Sequence, residues 1–166
     1  MLTVAIIAGA DPMPLELTFR SLVGATVAGL VADVLVVAPE PDALVSLCEP
    51  MGATVVSRER AEGALDAARG EWLLILEAGA QPLDGWDRAV ATHLKPEARP
   101  ARFEVTGEVE PFWRRLFGNA SRPLLGGFLV PMRMARSAIR SASLERLPVG
   151  RAAVTLPASL RVAPAG

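Results

Sequence analysis

Apolar and polar positions alternate between two periods along the first 95 residues. Residues 3–8 form a short β-branched and apolar run, closed by the turn-forming Gly9-Ala10-Asp11-Pro12. Residues 15–27 then place Leu15, Phe19, Leu22, Val23 and Val27 at helical spacing. Val34-Leu35-Val36-Val37 make residues 33–38 a second strand, and their unbroken apolar character suits a parallel sheet covered on both faces. Pro39-Glu40-Pro41 ends that strand, and Asp42 is placed to cap a helix running to about Pro50. A third strand is expected over 54–57, a helix over 59–69 stopped by Gly70, and a fourth strand over 72–76. A helix follows over 83–94, with Asp84 as its expected cap. This alternation predicts an α/β fold: an open, mostly parallel sheet with helices on both faces.

The remaining residues are less regular. Residues 95–101 form a proline-rich connection, 102–105 a weakly alternating strand, and 110–117 a short helix carrying Phe112, Trp113, Leu116 and Phe117. A strand entered through Gly126-Gly127, a helix over 133–144 and two brief extended pieces at 153–156 and 159–162 complete the chain. Residues 1–166 are expected to form one domain.

Composition narrows the function classes. The chain is 51% hydrophobic and 21% charged, with a formal charge of -1, so no basic field is present to gather nucleic-acid phosphates. Cys48, the one cysteine, has no intrachain partner for a disulfide and lies in an apolar segment, which suits a buried thiol. No apolar run reaches the roughly 18 residues of a membrane helix, and residues 1–9 lack a leader's basic region, so a cytoplasmic location is the expectation. Phe112 to Phe117 form a short amphipathic patch that suits peripheral membrane contact or the covering of a sheet.

The segment Ala68-Arg69-Gly70-Glu71-Trp72-Leu73-Leu74-Ile75-Leu76, with Pro82-Leu83-Asp84-Gly85-Trp86 after it, resembles glycosyltransferase family 2. Val4-Ala5-Ile6-Ile7-Ala8, residues 33–38 and Gly52-Ala53-Thr54-Val55-Val56 resemble the three strands that precede this segment in the family. The resemblance is clear over residues 3–94 and faint over 112–162, and it implies a nucleotide-binding-type half over 1–94 and a reduced acceptor-type half over 95–166. It implies a GT-A fold and, in a working enzyme, inverting transfer of a sugar from a nucleoside diphosphate sugar with Mg²⁺ or Mn²⁺.

Three expected residue types are absent from their places. Where the family has a base-reading aspartate, this chain has Ala38 or Pro39, with Asp42 matching a second aspartate of the same loop. Where the family has Asp-x-Asp holding the cation, the chain has Glu77-Ala78-Gly79, and glycine supplies no side-chain oxygen to a hard cation. Where the family has a Glu-Asp pair supplying the base, Leu147-Pro148-Val149 leads instead into Gly150-Arg151.

Two functions fit this pattern. One is a catalytically silent descendant that binds a protein, a second copy of itself or a nucleotide sugar, with no cofactor. The other is an inverting transferase with Glu77 at the metal or diphosphate, Asp11, Asp42 and Arg60 near the nucleotide, and Glu104, Glu108 or Glu110 as base. Arg58 and Arg69 are expected near the same diphosphate region. The lone histidine, His93, has no sequence neighbour that suggests a metal site.

Overall fold

A computed structural model describes residues 1–106, 127–139 and 153–162. Eight strands among them form one sheet in the order β3-β2-β1-β4-β7-β6-β8-β5. These are β1 (Leu2–Ile7), β2 (Val31–Val37), β3 (Ala53–Val56), β4 (Trp72–Glu77), β5 (Ala80–Pro82), β6 (Ala101–Thr106), β7 (Phe128–Pro131) and β8 (Val154–Val162). The first four run parallel, β7 is antiparallel to both β4 and β6, β8 is parallel to β6, and β5 is antiparallel to β8.

Helices α1 (Met13–Val27), α2 (Val45–Cys48) and α4 (Trp86–His93) pack on one face of the sheet. Helices α3 (Ala61–Ala67) and α5 (Met132–Ile139) pack on the other. The strand period of two divides β4 between two cores. Trp72, Leu74 and Leu76 join Leu15, Phe19 and Leu22 of α1, whereas Leu73 and Ile75 join Leu65 of α3 and Ala135 of α5. This double burial explains why the strand is apolar at every position from 72 to 76. Cys48 is fully buried, and its burial pushes the thiol pKa up, as expected of an unreactive small hydrophobe.

Several boundaries differ from the expected ones for local reasons. The helix expected over 42–50 is broken into a 3₁₀ turn (Pro41–Leu44), the four-residue α2 and a second 3₁₀ turn (Glu49–Met51). Pro41 and Pro50 open the two turns, since proline fits a first turn and disrupts a helix interior. Asp42 lies inside the first turn, Glu40 holds the cap position, and no side chain makes a capping bond, so the expected Asp42 cap is absent. The helix expected over 83–94 begins only at Trp86 because residues 80–82 form β5. Gly85 (φ +84°) occupies its cap position, so Asp84 is not the cap. The two extended pieces near the end are one strand, β8, whose pairing with β6 slips around Pro157. The helix expected over 110–117 lies outside the described residues.

The edge where the parallel strands begin is clamped by polar groups. The Arg69 backbone N–H and Nε donate to the two carboxylate oxygens of Asp33 at 2.7 and 2.8 Å. The Thr3 hydroxyl donates to Asp33 at 3.2 Å and accepts the Gly70 N–H at 3.1 Å. A Cβ on Gly70 would overlap the amide nitrogen and hydroxyl of Thr3, so the close approach requires glycine. Burial alone would raise the Asp33 pKa. The hydrogen bonds from Arg69 and Thr3 outweigh it and hold the carboxyl below its ordinary 3.8. On the far face, the Arg136 guanidinium donates to the carbonyls of Leu65, Asp66 and Ala68, joining α5 to the last turn of α3.

Candidate functional site

In an open α/β sheet, ligands sit beyond the carboxyl ends of the strands, at the point where the strand order reverses. Here that point lies between β1 and β4, because β2 and β3 extend to one side of β1 and β7 to the other. Four expected site residues follow the carboxyl ends of the four parallel strands: Asp11 after β1, Asp42 after β2, Arg60 after β3, and Glu77 at the end of β4. The fold brings them to one edge without bringing them together. Val56, Val37, Ile7 and Glu77 share one level across the strands. Strand spacing then separates the β3 and β4 ends by roughly 14 Å.

At the reversal point the chain closes on itself. The Ala78 N–H donates to the Ile7 carbonyl at 2.9 Å, extending the β1–β4 ladder past Glu77. Gly79 takes φ +93°, and its buried N–H donates at 2.9 Å to the hydroxyl of Thr18 on α1. Thr18 is fully buried and in turn donates to the Pro14 carbonyl at 3.4 Å. Gly79 is thus fixed by its backbone to a helix hydroxyl. Thr18 had a signal in the sequence: it is a polar residue on the apolar stripe of Leu15, Phe19 and Leu22.

The Ala38 side chain is buried in the core, and Pro39 beside it is exposed without a donor. Asp11 Oδ1 accepts the Met13 N–H at 3.0 Å, so its carboxylate starts α1 in the turn role that Asp-Pro suggests. Arg60 is exposed at the start of α3. Glu59 lies between Arg58 and Arg60, and a hydrogen bond from Ser57 lowers its pKa, so one negative charge partly offsets the two arginines and leaves the turn net positive. Among the described residues no three His, Cys, Asp or Glu side chains group to hold a metal ion.

Arg69 proves to be at the opposite edge, bound to Asp33, and is not near the diphosphate region. His93 Nε2 lies 2.8 Å from the Arg99 carbonyl and the ring stands edge-on to Trp72, which accounts for it structurally. Glu104 falls on the same sheet face as Glu77. Ile75 pairs with Phe128 and Phe128 with Arg102, so Glu77 and Glu104, two residues further along parallel strands, share a level. They are two strand spacings apart, roughly 10 Å. Glu108, Glu110 and the Phe112 to Phe117 patch lie outside the described residues.

Structural comparison is decisive for the fold. Mannosyl-3-phosphoglycerate synthase from Rubrobacter xylanophilus superposes with a TM-score of 0.59 over 100% of this chain and 68% of its own, at 15% identity. The fold is of the GT-A type. Glucosyl-3-phosphoglycerate synthase from Mycobacterium tuberculosis, solved with Mn²⁺ and UDP, gives 0.55 over 100% and 73% of the two chains, at 17% identity. TarS from S. aureus with UDP-GlcNAc gives 0.59 over 100% and 60%, at 9% identity. No family model and no curated protein matches the sequence. The GT-A-type fold is therefore shared at identities that carry shape alone. Among the described residues no helix is long and apolar enough to cross a membrane.

Proposed function

We propose that this chain is a family 2 glycosyltransferase-like binding module, catalytically silent, that uses the GT-A-type fold as a scaffold. The observation that carries this is Gly79. It matches the principal cation-ligand position, presents no oxygen, and has its N–H held by buried Thr18. Ala38 at the base-reading position adds to it, since a buried methyl group discriminates no base edge. A nucleotide sugar remains the ligand class suggested by the neighbours solved with UDP or UDP-GlcNAc. On this proposal it would be held without a cation and left uncleaved.

One observation favours a second function, the inverting transferase. Glu104 shares a face and level with Glu77, so a carboxylate able to deprotonate an acceptor hydroxyl lies across β7 from the end of β4. Titration calorimetry of the chain with UDP-, GDP- and dTDP-sugars, with and without Mn²⁺, separates the two. The binding module gives heats independent of Mn²⁺ and no released nucleoside diphosphate. Micromolar binding that requires Mn²⁺, together with sugar transfer abolished by Glu104→Gln, would establish the transferase.

A further inference from the structure

The two edges of the sheet are finished differently. On one side β5 covers only residues 160–162 of β8, and the outer edge of β8 further back contains Pro157, which has no N–H to offer. On the other side β3, with the sequence Ala53-Thr54-Val55-Val56, carries neither proline nor charge. The Val56 carbonyl accepts the Ala38 N–H at 3.1 Å, so Val56 and, by alternation, Thr54 address β2. The N–H and C=O groups of Ala53 and Val55 therefore point away from the sheet, and among the described residues no backbone group meets them.

The flanks of this edge have opposite charge. Glu49 precedes the strand in an exposed turn, and Arg58 and Arg60 follow it with Glu59 between them. Met51 and Val45, 46% and 42% exposed, add apolar surface on the approach. An edge with free backbone groups and opposite charge at its two ends complements itself about a two-fold axis. Pairing Ala53 of one copy with Val55 of the other, and the reverse, matches outward groups with outward groups. It sets Thr54 against its own copy on the axis, a favourable cross-strand pair. It also brings each Glu49 turn beside the Arg58 to Arg60 turn of the other copy.

We infer that β3 is a self-association face, through which two copies join antiparallel into one continuous sheet. The strand is short, so the association is weak, with a dissociation constant on the order of 10–100 µM. This inference is independent of whether the nucleotide edge binds a sugar donor.

Sedimentation equilibrium of the full chain from about 1 µM to about 1 mM tests it. A monomer–dimer equilibrium is expected. Val55→Pro removes an outward N–H without touching a bond to β2, so it should weaken dimerisation at least about tenfold while leaving the far-UV circular dichroism unchanged. Glu49→Arg and Arg60→Glu should each weaken it severalfold, and the double exchange should restore it. If Val55→Pro unfolds the chain, the charge exchange decides alone. A chain that stays monomeric throughout overturns the inference, as does a dimer indifferent to the charge reversals and to a folded Val55→Pro.

Discussion

Where β4 begins, Arg69, Gly70, Thr3 and Asp33 form a connected set of hydrogen bonds that joins three strands. Where the same strand finishes, Glu77, Ala78 and Gly79 turn back, and their backbone groups are taken up by Ile7 and Thr18. The first edge depends on side-chain chemistry at particular positions. The second depends mostly on backbone, at the place where a cation and a diphosphate would need side-chain oxygens and donors. The comparison teaches that one strand can be secured by side-chain chemistry at its start and by backbone hydrogen bonds at its end. The stretch leading into β4 holds the sheet together through Thr3 and Asp33. The stretch leaving β4 joins it to β1 and α1 and, through β5, to β8.

The largest expected effect tests the first edge. Gly70→Ala forces a methyl into the Thr3 backbone and should cost about 3 kcal/mol, measured as a lower urea midpoint with an unchanged slope. A variant as stable as the parent would break the claim that this edge is sterically set. Next comes the second edge. Thr18→Val keeps the shape but leaves the buried Gly79 N–H without an acceptor, at about 1–3 kcal/mol. The matching observation is faster hydrogen exchange at Gly79 than at Leu74.

Asp33→Asn should have the smallest effect, about 0.5 kcal/mol near neutral pH, because Arg69 is largely exposed and solvent screens the pair. Its pH dependence sharpens the comparison. The folded state holds the Asp33 carboxyl below 3.8, so its contribution is complete above that value and is lost as pH falls through the folded pKa. Urea midpoints between about pH 6 and pH 2.5 should therefore converge for parent and variant at the acid end. Parallel curves would show that Asp33 is not the group that titrates.

Much of the architecture was legible because burial on both faces leaves a plain mark, as in the apolar runs of β2 and β4. β5 was not, since Ala80-Gln81-Pro82 has neither alternation nor branched side chains and is a strand only because β8 pairs with it. The broken helix around α2 had its cause in view, Pro41 and Pro50, whose effect depends on register within each turn. Arg69 lies at the edge opposite to the expected one for a topological reason. A residue just before a parallel strand and a loop just after it lie at opposite ends of the sheet, however close in sequence. At the candidate site, Ala38 and Gly79 were legible in the sequence as positions without side-chain oxygens. The latch from Thr18 needed the fold, because residues 18 and 79 meet only when α1 packs over β4 and β5.

The most direct test of the proposed function at the second edge is the free Mn²⁺ signal in electron paramagnetic resonance, recorded with UDP while the full chain is titrated in. The account predicts that the signal falls no further with the chain than with UDP alone. A stoichiometric loss of free Mn²⁺ as the chain is added, reversed by Glu77→Gln, would contradict it.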